Sequence, residues 1–167
     1  WSFAHDVRVD KDDNIWVIDK GSDMIIKFNP EGRVVMVVGR KKEASDDGAE
    51  AWKHVNPPRP PIDGQFRQPT DVAWDNDGNT FISDGYINSR IAKYDKNGDW
   101  VKSFGTPGDK PGQFNTPPGI ANDARGHTHS ADRGDKPLQC LDRDGKSPEP
   151  RHRTARLRAG ARPAAGR

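Results

Sequence analysis

Short apolar runs of four to six residues, separated by polar clusters rich in Asp, Asn and Gly, recur through the first 146 residues. Asn14-Ile15-Trp16-Val17-Ile18-Asp19 and Asn79-Thr80-Phe81-Ile82-Ser83-Asp84 are two of them. Runs this short, bounded by turn residues, predict strands. The Asp-Asn, Asp-Gly and Asn-Gly pairs between them accept the positive φ that tight hairpins demand. In the first stretch the pattern places strands near residues 6–10, 15–19, 24–29 and 34–38, with equivalents in the second.

Aligned on itself, the chain shows one pattern three times. The first copy carries His5, Asp6, Val7 and Asp10, then the run to Asp19, then Ile25, Phe28, Gly32 and Gly39. The second carries Thr70, Asp71, Val72 and Asp75, the run to Asp84, then Ile91, Tyr94, Gly98 and Gly105. The third carries Pro118, Gly119, Ile120 and Asp123, then His127 to Asp132, Leu138, Leu141 and Gly145. The two aspartates of each copy lie nine residues apart, and copies two and three are offset by 48 residues. A repeat of that length, made of four short antiparallel strands, cannot bury both of its faces alone and stacks on its neighbours. The expected fold is all-β: a partial β-propeller of about three four-stranded antiparallel blades. A linear solenoid of hairpins is the alternative.

The expected division is a first blade at residues 1–39, a proline-rich connection at 40–65, a second blade at 66–105, a degenerate third at 106–146 and a tail at 147–167. The connection contains Pro57-Pro58-Arg59-Pro60-Pro61, which cannot join a ladder and reads as a surface loop. In the third copy His129-Ser130 replaces the bulky pairs Trp16-Val17 and Phe81-Ile82, and Pro137 interrupts the next strand. That sheet should be the least stable. The tail offers one leucine as its single large apolar side chain and is expected to be disordered. A change of reading frame would account for both features; a basic segment made for an acidic partner is the functional alternative.

Composition narrows the partners. Hydrophobic residues make up 31% of the chain, with 17 glycines and 14 prolines, which suits a turn-rich β protein and not one large core. The formal charge of +2 hides a division: the tail carries six arginines against one glutamate, leaving a net −3 on the first 146 residues. The body therefore has no electrostatic case for nucleic acid. No apolar run is long enough to cross a membrane. Cys140 is the sole cysteine, so neither an internal disulfide nor a cysteine-built zinc site is expected. The start at Trp1 reads as a cut or processed end.

The units resemble NHL repeats. Gln68-Pro69-Thr70-Asp71-Val72-Ala73 and Ser83-Asp84-Gly85-Tyr86-Ile87-Asn88-Ser89-Arg90-Ile91 resemble, more narrowly, the peptidyl-α-hydroxyglycine α-amidating lyases. The likeness covers about residues 3–146. It implies a six-bladed propeller that splits a hydroxyglycine-extended peptide into peptide amide and glyoxylate, with zinc held by three histidines from different blades and a structural calcium. By resemblance His5 is the first zinc ligand, the carbonyl of Val7 binds calcium, Tyr86 is the base toward the substrate hydroxyl and Arg133 is an active-site arginine. The second histidine position is occupied by Pro118, which has no donor atom for zinc. The chain is thus expected to lack a complete zinc site and to be inactive alone. The resemblance also implies an extracellular or periplasmic location and a peptide substrate or protein partner. A non-enzymatic propeller that binds a protein or peptide is the alternative function. Open blade edges predict self-association.

Other motifs fail on spacing. Asp95-Lys96-Asn97-Gly98-Asp99 has its glycine too early for a calcium loop and reads as turn chemistry. His127 and His129 share a strand face without a third ligand nearby in sequence. No phosphate-binding glycine loop and no nucleophile elbow are present.

Overall fold

The computed structural model describes residues 1–41, 60–132 and 138–146. The first sheet contains β1 (Ala4–Val9), β2 (Ile15–Asp19), β3 (Met24–Phe28) and β4 (Val34–Gly39), paired antiparallel in chain order. The second repeats it with β5 (Asp71–Trp74), β6 (Thr80–Asp84), β7 (Arg90–Tyr94) and β8 (Trp100–Phe104). A short parallel pair, β9 (Thr106–Pro107) and β10 (Gln113–Phe114), leads to β11 (Gly119–Asn122), β12 (Thr128–Ala131) and β13 (Gln139–Leu141). The third sheet thus has three strands among the described residues, where the repeat predicts four. The stretch where a fourth strand is expected, Pro137, most of the proline-rich connection and the tail fall outside the described residues.

The aspartate spacing has a physical cause. The first aspartate of each copy closes the opening hairpin: one carboxylate oxygen of Asp10 accepts the amides of Asp12 and Asn14, that of Asp75 those of Asp77 and Asn79, and that of Asp123 those of Arg125 and His127. Asp95 makes the same closure on Asn97 and Asp99, so this loop is a hairpin turn. The second aspartate ends the adjacent strand and anchors the chain entering its blade. Asp19 accepts the amide of Ser2, Asp84 that of Arg67 and Asp132 that of Asn115.

Two cores form between sheets. Trp16, Ile18, Ile25 and Val38 of the first pack on Val72, Ile82, Ala92 and Tyr94 of the second and on Phe66, in the segment leading into it. Ala73, Phe81 and Ile91 on the opposite face of the second pack on Phe114, Ile120 and Leu141. Burying one such side chain contributes about 1.5–3 kcal/mol, so blade contacts supply most of the cohesion. Gly39 ends β4 at φ 82°, where a Cβ would strike the Phe66 ring, and Gly105 stands equivalently against Phe114. In the second sheet the row Val72, Ile82, Ala92 is buried against the first sheet. The equivalent row of the first sheet, Val7, Val17, Ile26, Val37, faces outward, with Val7 56% and Val37 50% exposed.

The turn and anchor carboxylates set the pH response. Burial pushes Asp10 upward, but bonds from the Trp16 indole and the Asn14 and Asp12 amides outweigh it and hold the carboxyl below its ordinary value. Burial likewise opposes, and the bonds from Ser2, Phe3, Ser22 and Gly21 overcome, at Asp19. Asp123 is held low by His127, Arg125 and His129 against the same opposition. Asp84 runs the other way, raised by burial against the pull of Arg90, Asn88 and Arg67. A carboxyl with a depressed folded pKa contributes stability above its unfolded value of about 3.9 and loses it as pH falls through the folded value. The melting temperature should therefore hold between about pH 5 and 7 and fall below about pH 4. Equal melting at pH 3 and pH 6 would show that these bonds add nothing.

Candidate active site

The first strands of the three sheets lie side by side, β5 against β1 on one flank and β11 on the other. His5 stands on β1 at a bulge: Ala4 pairs with Asp19 and Asp6 with Ile18, leaving His5 outside the ladder. A bulge re-aims its side chain. Here the ring turns across the sheet boundary, with Nδ1 2.8 Å from the carbonyl oxygen of Thr70. A carbonyl can only accept, so in the neutral ring Nδ1 carries the proton and Nε2 presents a lone pair. Carbonyl-oriented imidazoles of this kind are the usual form of a metal ligand.

Tyr86 meets that lone pair. Its hydroxyl lies 3.5 Å from His5 Nε2, and the two rings stand edge to face with centroids 5.6 Å apart. Tyr86 sits in the turn after β6, directly behind Gly85, where a Cβ would strike the Pro117 carbonyl and Thr70. Glycine is what lets the turn approach the third blade. The Thr70 hydroxyl donates to that carbonyl at 2.8 Å and the Ser83 hydroxyl at 2.9 Å. Three blades thus converge around one small region.

Beneath it lies Asp71, fully buried. Its carboxylate accepts both arms of Arg8 at 2.8 and 2.7 Å, its neighbour's Val72 amide at 2.8 Å and the Ile120 amide at 2.9 Å. One side chain therefore ties all three sheets. The Lys20 ammonium lies 3.7 Å from the centroid of Tyr86 and 4.9 Å from that of Phe3, stacked on two aromatic faces.

Of the residues singled out from sequence, His5 and Tyr86 come together. Val7 lies two residues along β1, and Pro118 immediately precedes β11. Arg133 lies outside the described residues. Among the described residues no group of three or more His, Cys, Asp or Glu side chains converges as a metal site. His127 and His129 instead approach the hairpin carboxylate of Asp123, at 3.3 and 3.4 Å. Sequence reasoning missed Arg8, Asp71 and Lys20 as site residues. Asp71 recurs at the position of Asp6, which was a signal of periodicity but not of contact.

No family model matches the chain. Mouse peptidyl-glycine α-amidating monooxygenase is 31% identical over 152 residues, covering 85% of this chain and 14% of the mouse protein. A probable peptidyl-α-hydroxyglycine α-amidating lyase of Caenorhabditis elegans is 29% identical, covering 82% of this chain and 36% of its own length. The chain is a β-propeller portion homologous to the amidating lyases. It also matches mouse NHL repeat-containing protein 3, with 30% identity over 78% of this chain and 36% of that protein. Among solved structures, virginiamycin B lyase from Staphylococcus aureus superposes with a TM-score of 0.57 over 87% of this chain and 40% of that enzyme. At 14% identity that likeness speaks for the fold alone. The chain spans between about a seventh and a third of the length of these curated relatives.

Proposed function

We propose that this chain forms one wall of an amidating-lyase site acting on peptides that end in α-hydroxyglycine. The observation that carries the reading is the meeting of His5 and Tyr86, 81 residues apart in sequence and both assigned by resemblance, at 3.5 Å. In this reaction a base takes the proton of the carbinol hydroxyl, the freed electron pair forms the C=O of glyoxylate, the C–N bond breaks and the amide nitrogen takes a proton. Tyr86 is assigned as that base, its hydroxyl oxygen standing 3.5 Å from His5 Nε2. Gly85 and the Pro117 carbonyl fix its turn, and the His5 ring packs its edge. Zinc, as a Lewis acid, would acidify the hydroxyl. The described residues do not fit that metal by themselves: His5 offers one lone pair and Pro118 none, so no step is routed through it. The chain alone should release no glyoxylate. In a parent protein carrying the remaining blades, Tyr86→Phe should lower kcat by about 10²–10⁴-fold with little change in KM. An unchanged kcat would remove Tyr86 from the chemistry.

The calcium role of Val7, the active-site role of Arg133 and an exported location belong to the same reading and rest on the resemblance. Self-association is a separate expectation from the open blade edges, and the outward valine row of the first sheet supports it. A second reading, a peptide-binding NHL propeller without catalysis, is favoured by the match to NHL repeat-containing protein 3.

A further inference from the structure

Among the described residues three lysines lie over aromatic rings: Lys27 over Trp16 at 5.1 Å, Lys93 over Phe81 at 5.2 Å, and Lys20 over two rings, nearest at 3.7 Å to the centroid of Tyr86. Lys27 also pairs with Asp10, and Lys93, like Lys20, has no carboxylate partner among the described residues, but it meets one ring. Lys20 is half-buried between the Tyr86 and Phe3 rings, and among the described residues no carboxylate pairs with it. Asp19, its neighbour in sequence, is committed to the amides of Ser2, Phe3 and Gly21, and Asp71 to Arg8, Val72 and Ile120. Two aromatic faces hold the cation in place without neutralising it. An ammonium fixed in this way is ready for an anion, because the entropy of ordering it has already been spent in folding.

We infer that Lys20 binds the free C-terminal carboxylate of a peptide and so selects carboxylate over carboxamide ends at this site. The inference rests on the lyase reading for the kind of ligand, and its geometry suits that ligand. Nζ stands over the face of Tyr86 while the phenol hydroxyl leaves the same ring at its edge. In an α-hydroxyglycine end the carboxylate and the carbinol carbon are directly bonded. A carboxylate on Lys20 therefore brings the carbinol hydroxyl toward Tyr86 and His5. The amide product has lost that carboxylate, so it loses the Lys20 contact and leaves. Lys20 acts here as a specificity and positioning residue, with no proton or bond change of its own.

The test is a calorimetric titration of the whole chain with two probes that cannot be cleaved: a glycine-extended peptide and the same peptide as its C-terminal carboxamide. The acid should bind about tenfold tighter than the amide, as expected for a hydrogen bond to a charged group. That preference should shrink as salt rises. Lys20→Gln should abolish the preference and Lys20→Arg keep most of it, both with unchanged circular dichroism. Tyr86→Phe keeps the ring face and should keep the preference, which separates binding from base chemistry. Equal binding of the two probes, undetectable binding of both at millimolar concentration, or a preference that survives Lys20→Gln would overturn the inference. Loss of the lyase reading would register separately, in the zinc measurements on Pro118.

Discussion

Asp71→Ala is expected to remove about 3–5 kcal/mol of stability, against a typical total of about 5–15 kcal/mol for a domain. The side chain is 1% exposed and holds one partner in each sheet: Arg8, Val72 and Ile120. Without it the Ile120 amide, buried in the interface of the second and third sheets, has no acceptor, and a buried unsatisfied amide costs about 1–3 kcal/mol. The Val72 amide incurs a similar penalty. Arg8 costs less, because its side chain is 45% exposed and can rehydrate. The repeat supplies an internal control. Asp6 occupies the equivalent position in the first sheet, accepts its neighbour's Val7 amide and is 35% exposed. Asp6→Ala should cost about 1 kcal/mol. Urea unfolding of both variants followed by circular dichroism gives the comparison. Equal losses at the two positions would mean that the carboxylate does not link the blades.

The contrast between Asp6 and Asp71 shows what the chain made legible. Strand positions could be read to within a residue or two, because each run is bounded by a turn whose aspartate closes its own hairpin through local bonds. β2 and β3 begin at Ile15 and Met24 as the pattern predicts, and β1 starts two residues early at Ala4. The nine-residue spacing announced a repeat. Why it is nine could not be read, since the second aspartate works on the incoming chain, Ser2 for Asp19 and Arg67 for Asp84, at separations of 17 residues. Contacts between sheets are further still from local pattern. Asp71 with Ile120, and Lys20 with Tyr86, depend on how blades dock, and no spacing within one blade encodes that. His5 and Tyr86 were reached through family resemblance; what the fold adds is the bulge that turns His5 and the glycine that brings Tyr86 close.

Pro118→His carries the largest expected gain of function. The position lies one residue beyond Pro117, whose carbonyl accepts from Thr70 and Ser83, and Thr70 in turn holds His5 Nδ1 through its own carbonyl. Position 118 is the third-blade counterpart of His5, at the start of the inner strand β11. An imidazole there would add a second donor to the Nε2 lone pair of His5. The parent chain, with one imidazole, should take up no stoichiometric zinc at micromolar metal. Pro118→His should tighten zinc binding by at least about tenfold in calorimetry, and the gain should vanish in the double variant with His5→Ala. The double variant is essential because His54 and His152, outside the described residues, can bind zinc on their own. Cleavage of an α-hydroxyglycine peptide should stay absent even in Pro118→His, because two donors do not complete a site that the resemblance builds from three. A Pro118→His protein that binds zinc no better than the parent, or whose gain survives loss of His5, would mean that the two positions do not face one channel. The lyase reading would then give way to the peptide-binding propeller.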